Sequence, residues 1–177
     1  MKKFIILIVI VVGSVWYYGR GLPREHTVKS SIIITSAKVD SVFTLVRRIG
    51  NQASWWSDVR SVRPLIGRPR ESWEQNMLVG GLVAVEVTSI TPPGKMVTTI
   101  IPDQESEDDV MKWGGTWRYE VFDSSAGTEV VITEVGWVDP PLYRVYMKMR
   151  GEYRTVDSFL TSLAAHFGES ATPIHGR

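Results

Sequence analysis

Between Val59 and Trp137 the chain repeats one pattern. Short stretches of alternating polar and apolar residues are cut by glycine, proline and serine. A side-chain period of two belongs to β-strands, and strands punctuated this closely pair as antiparallel hairpins. Val59 to Ile66 runs into Gly67-Arg68-Pro69. Glu71 to Met77 puts Trp73, Gln75 and Met77 on one face and Ser72, Glu74 and Asn76 on the other. Gly80-Gly81 precedes Leu82 to Thr91, and Pro92-Pro93-Gly94-Lys95 precedes Met96 to Ile101. Lys112 to Phe122 aligns Trp117, Tyr119 and Val121. After the Asp123–Gly127 turn, Val131, Thr133, Val135 and Trp137 of Thr128 to Trp137 are read as opposing Glu129 and Glu134, with Trp137 on the inner side.

The flanks switch to helical spacing. His26 to Thr35, with its β-branched Ile32-Ile33-Ile34, reads as the first strand. Ser36 is the expected N-cap of a helix carrying Val39, Val42, Phe43, Val46 and Ile49, with Gly50 as its stop. Asn51 to Trp56 is a second short helix. Pro140-Pro141 ends the sheet. Leu142, Val145, Tyr146 and Met149 then start an apolar stripe that passes an interruption at Gly151. It continues through Tyr153, Val156, Leu160, Leu163, Ala164 and Phe167. Ala171 to Arg177 reads as a frayed tail. The class is α+β: a curved antiparallel sheet wrapped around a long C-terminal helix, with two short helices after strand 1. Sheet and helix can enclose a cavity.

Lys2 and Lys3 precede fifteen uncharged residues, Phe4 to Tyr18, ending in Trp16, Tyr17 and Tyr18. At about 1.5 Å per residue this run covers roughly 22 Å of a hydrocarbon core of about 30 Å, and the aromatic cluster suits a membrane interface. A transmembrane anchor and a cleaved signal peptide both fit. Either leaves the positive end in the cytoplasm and the domain on the extracytoplasmic side. The expected organisation is 1–19 anchor or signal, 20–27 linker, 28–169 domain and 170–177 tail.

A formal net charge of +1 offers no basic field for nucleic acid. The absence of cysteine removes disulfides, thiolate catalysis and Cys-ligated zinc. His26, His166 and His175 stand in no recognisable nucleophile motif. Asp103 to Asp109 holds five carboxylates in seven residues but lacks the glycine and final Glu of an EF-hand, so it reads as a solvated loop. No metal and no cofactor are expected. Glu71, Glu134 and Asp58 would serve acid–base chemistry only if buried. Lys148, Arg150 and Arg154 form a basic cluster suited to anionic headgroups.

Three segments together, Ile34-Thr-Ser-Ala-Lys-Val-Asp-Ser-Val-Phe43, Trp55-Trp56-Ser-Asp-Val59 and Pro140-Pro141-Leu-Tyr-Arg144 with the terminal helix ending at Leu160-Thr-Ser-Leu-Ala164, resemble the START-like helix-grip (SRPBCC) superfamily. The likeness is to its polyketide cyclase/dehydrase-like branch and covers about Val28 to Glu169. It implies a cavity for a hydrophobic or lipid-like small molecule between sheet and C-terminal helix. The expected lining is Trp73, Gln75, Met77, Trp117, Tyr119, Trp137, Val156, Phe159 and Leu163, with Trp55 and Trp56 as a gate. Adjacent helical residues lie about 100° apart, so the competing expectation for the gate pair is one Trp in the core and one half-exposed. The expected function is membrane-tethered binding through residues 4–18. The alternatives are a non-catalytic protein-interaction module near the membrane and a polyketide cyclase/dehydratase-like enzyme.

Overall fold

A computed structural model describes residues 2–101 and 113–176. The acidic segment Asp103 to Asp109 lies outside the described residues. Helix α1 spans Lys2–Arg20, strand β1 Glu25–Ile34 and α2 Val39–Arg47, with a 3₁₀ helix at Ile49–Ser54. Strands follow at β2 Val59–Pro64, β3 Ser72–Met77, β4 Gly81–Thr91, β5 Lys95–Ile101, β6 Trp113–Ser124 and β7 Gly127–Val138. Helices α3 Pro141–Arg150 and α4 Arg154–His166 precede a last short strand, β8 Ile174–Gly176. The sheet order is β2-β3-β4-β5-β6-β7-β1-β8, with antiparallel pairings. This is the α+β helix-grip fold.

The core lies between this sheet and α2 and α4. Val42 and Val46 of α2 and Val156, Phe159, Leu160 and Leu163 of α4 are buried against Ile32, Ile34, Val130 and Ile132. In β1 the residues Val28, Ser30, Ile32 and Ile34 face inward, alternating with exposed or half-exposed neighbours. The pairing Val28↔Glu134, Ser30↔Ile132, Ile32↔Val130 then sets the inward face of β7. Inward are Val130, Ile132, Glu134 and Val138, while Val135 is exposed. The expected inner face of β7 is therefore one residue out of phase. Hydrophobic residues occupy both parities there, so alternation alone does not choose the face.

Four local expectations also change. Ser36 does not cap α2, whose N-cap is Lys38, and the helix ends at Arg47 before Gly50. The Ser36 and Thr35 N–H groups instead donate to the Glu169 carboxylate at 2.6 to 3.1 Å. Hydrogen bonding from Ser36 first, then Thr35, holds that carboxyl down at about 2. The expected linker is shorter than 20–27, because β1 already begins at Glu25. The tail does not fray: Ile174, His175 and Gly176 pair with Ser31, Ser30 and Lys29. Asp157 ties it down, accepting from Ser30 Oγ at 2.8 Å and bonding His175 Nε2 at 2.8 Å, while His175 stacks on Tyr153.

Gly151, at φ 95°, separates α3 from α4. The apolar stripe of α3 points the unexpected way. Leu142, Tyr146 and Met149 are exposed, Met149 at 83%. The neighbouring stripe Tyr143, Met147 and Arg150 faces the interior. The start of α3 is fastened to the end of α1. Gly19 is buried, and a Cβ there would lie 2.2 Å from the Pro141 carbonyl oxygen. Arg144 donates to the carbonyls of Leu22, Val138 and Asp139, and Lys148 lies over the Tyr18 ring. At 19 residues α1 is long and apolar enough to cross a membrane.

Candidate functional site

Between the inner sheet face and the helices lies a cavity of about 130 Å³. One side is built by period-two positions: Gln75 and Met77 of β3, Val83 and Val85 of β4, Thr98 and Ile100 of β5, Trp117 and Tyr119 of β6. Ile49, Gln52 and Trp56 close it from the 3₁₀ segment, and Tyr143, Met147 and Arg150 from α3. Among the expected lining residues, Gln75, Met77, Trp117 and Tyr119 border the cavity. Trp137 borders it too, but from the opposite parity of β7, with its ring over Gly114.

The other expected lining residues lie elsewhere. Trp73 packs its ring over Gly50 in a separate, open depression. Val156, Phe159 and Leu163 are fully buried core and do not border the cavity. Phe159 is the hub of an aromatic cluster: Trp55 and Trp56 meet it edge-on at 5.0 Å and Trp117 edge-on at 6.0 Å, while Tyr119 lies tilted against it at 5.6 Å. Of the expected gate pair, Trp56 is 4% exposed and borders the cavity, while Trp55 is half-buried outside it. The pair divides into one core and one half-exposed ring, although the helical step does not set this: the 3₁₀ helix ends at Ser54, and Trp55 already has an extended φ of -140°. Trp56 also donates to Ser158 Oγ at 3.4 Å, so swinging it out would break ring contacts and a hydrogen bond.

Two polar features interrupt the apolar wall. Gln75 Nε2 donates to Gln52 Oε1, so the polar side chain on the inner face of β3 is satisfied by its neighbour in the 3₁₀ helix. Tyr119 bonds Thr98, and burial pushes its phenol far up, keeping it neutral. At the α3 end, His26 Nε2 lies 3.2 Å from Glu134 Oε1, with side-chain exposures of 22% and 16%. His26 sits opposite Gly136 across the β1–β7 pair, and a Cβ at Gly136 would lie 2.5 Å from His26 Cε1. Only glycine leaves room for the imidazole to lie across β7 and reach Glu134. Arg150 also faces this end. Its Nε is buried with no hydrogen-bond partner among the described residues. The expected surface cluster Lys148, Arg150 and Arg154 is thus split, with Arg150 turned inward. Among the described residues no group of His and carboxylates is placed to hold a metal ion.

Sequence reasoning passed over His26 and Arg150 as site residues. The signal for His26 was parity: buried Ile32 and Ile34 put every even position of β1 inward. For Arg150 it was the i, i+4, i+7 spacing from Tyr143 and Met147.

The Glu134 hydrogen bond raises the His26 pKa above its ordinary value, and burial opposes it only in part. A raised folded-state pKa adds stability at low pH. That contribution is complete below the ordinary value of about 6.5 and is lost as pH rises through the raised one. Denaturant unfolding from about pH 5.5 to about pH 8.5 is expected to show stability falling more steeply with pH in the native chain than in His26→Gln. Parallel profiles would mean that the pair is not formed in solution.

The sheet, the helices covering it and the cavity between them define a START-like helix-grip protein. The family model described as polyketide cyclase / dehydrase and lipid transport matches residues 25–168, and the chain belongs to that family. A search of curated proteins finds no match. Among solved structures, the di-domain aromatase/cyclase StfQ of the steffimycin biosynthetic pathway aligns with a TM-score of 0.62 at 11% identity, over 80% of this chain and 50% of that one. The chain thus spans about half the length of StfQ. The Zhui aromatase/cyclase from Streptomyces sp. R1128 aligns with a TM-score of 0.59 at 14% identity, over 81% of this chain and 92% of that one. A START superfamily protein from Mycobacterium smegmatis aligns with a TM-score of 0.54 at 14% identity, over 81% of this chain and 95% of that one. At such identities these likenesses establish the fold.

Proposed function

We propose that the protein binds a small apolar molecule non-covalently in the cavity between sheet and helices, and that α1 tethers it to a membrane with the domain on the extracytoplasmic side. The observation that carries the binding reading is the cavity itself. Protein interiors close-pack, with few voids larger than a water molecule. A space of about 130 Å³ with mostly apolar walls, partly open to solvent, is one that a small apolar occupant can fill and dewet. The size also selects. It is close to an engineered cavity of about 150 Å³ that takes up benzene, and below the roughly 300–1,000 Å³ of drug-sized pockets. A ring or short chain fits this space, and a larger lipid-like ligand requires its walls, α3 among them, to move apart.

The tether is supported by Lys2 and Lys3 before the apolar run and by Trp16, Tyr17 and Tyr18 at its end. Exposed Leu142, Tyr146 and Met149 on the helix fastened to α1 add apolar surface at the same level. The cyclase/dehydratase alternative keeps one observation in its favour, the His26–Glu134 pair bordering the cavity.

The test is native mass spectrometry of the full chain extracted from its host membrane in polymer-bounded nanodiscs, with solvent extraction of bound molecules. A stoichiometric apolar compound absent from the surrounding lipid pool is the expected result. An empty chain that also takes up no small apolar probe would overturn the reading and favour the protein-interaction module.

A further inference from the structure

Resting on the reading of the cavity as a ligand site, we propose that its α3 end is an anion subsite, in which Arg150 receives the carboxylate of a small apolar acid. Arg150 lies in the last turn of α3, on the stripe with Tyr143 and Met147 that borders the cavity. Its Nε is buried and bonds nothing among the described residues. A guanidinium is always charged and presents its donors as a planar fork, and a desolvated donor left unpaired is expensive. A carboxylate entering the cavity end-on accepts from Nε and from the adjacent Nη of the fork, the bidentate charge-assisted geometry of arginine–carboxylate pairs.

The other charges at this end do not cancel the preference. Glu134 is engaged by His26 at 3.2 Å, and its pull keeps the imidazole above its ordinary pKa. Glu152 is exposed to solvent on the turn after α3. The neighbouring Tyr143 phenol is half-buried, and burial raises its pKa, so it stays a neutral donor for a second carboxylate oxygen. The body of the wall is mostly apolar, with Met77, Val83, Val85, Ile100 and Met147, and the polar Gln75 and Tyr119 there already bond Gln52 and Thr98. Such a cavity selects a molecule with one anionic end and an apolar body of about benzene's size.

The experiment titrates the full chain in nanodiscs with 3-phenylpropionate and with 3-phenylpropanamide, which share a body and differ in charge. Tryptophan emission reports binding, because Trp56 and Trp117 border the cavity. The Arg150 Nε–H resonance reports the contact. The acid is expected to bind roughly tenfold or more tighter than the amide and to move that resonance downfield. Arg150→Met should remove the preference while leaving amide binding in place. If Arg150→Met does not fold, Arg150→Lys decides, with a preference that is reduced but above one, since Lys keeps the charge without the fork. Acid and amide binding equally to the native chain, or a preference unchanged in the variants, would overturn the anion subsite while leaving the ligand site standing. Binding of neither compound would overturn both.

Discussion

Phe159→Ala is expected to remove about 3–5 kcal/mol of folding stability, the range for deleting a buried aromatic from a close-packed core. Few side chains here are so completely surrounded. Phe159 has no exposed surface and meets four other rings: Trp55, Trp56, Trp117 and Tyr119. Those partners come from the 3₁₀ segment and from β6, so the substitution loosens three elements at one point. Relaxation is limited, because Trp56 and Trp117 also hold the cavity wall and cannot fold inward without changing it. For a domain of this length the loss corresponds to roughly 6–20 °C in Tm. Phe159→Leu separates volume from aromaticity: it keeps much of the packing and gives up edge-to-face contacts of about 0.5–1.5 kcal/mol each. Denaturant unfolding of the two variants beside the native chain provides the measurement. An alanine cost under about 1.5 kcal/mol, typical of volume-conserving swaps, would mean that the rings close over the gap and that the cluster is not rigid.

The parts of this fold legible in the sequence are those encoded by short-range period. Alternation in Glu71–Met77 and Lys112–Phe122 puts Gln75, Met77, Trp117 and Tyr119 on inward faces, because each stretch carries most of its bulky residues on one parity, with Phe122 the exposed exception. In β7 both parities are apolar, and the face is set by pairing with β1 across about a hundred residues of chain. The same distance hides β8. Ile174-His175-Gly176 has no strand signal of its own and is held by Asp157 and Tyr153 of the last helical segment. In α3 the more apolar stripe lies outside, so amphipathicity pointed away from the cavity-facing side. The polar end of the site was least visible. His26, Glu134 and Arg150 stand far apart in sequence, and only the sheet register with the Gly151 break brings them to one end.

The second large effect is expected at Gly19, where local and tertiary physics disagree in sign. Within a helix, alanine is favoured over glycine by about 1 kcal/mol, so Gly19→Ala should strengthen α1 taken alone. The same methyl group would lie 2.2 Å from the Pro141 carbonyl oxygen and 2.6 Å from its carbon. Those are backbone atoms at the first turn of α3, and no side-chain rotation relieves the overlap. Separation of the helices is the remaining response, with loss of the Arg144–Leu22 bond and of the Lys148 contact with Tyr18. The chain has no cysteine, so a Tyr18→Cys, Lys148→Cys pair reports this docking without background. Bismaleimide cross-linking of that pair in nanodiscs should be efficient when Gly19 is kept and fall roughly tenfold when Gly19→Ala is added, as expected for a coupling above 1 kcal/mol. Domain stability should change little, because the buried core does not include α1. An unchanged cross-linking yield would show that α1 and α3 slide past the clash. A lost yield would establish that α1 holds α3, the helix that borders the cavity at its His26–Glu134–Arg150 end, so that any movement of α3 away from the site must be made against α1.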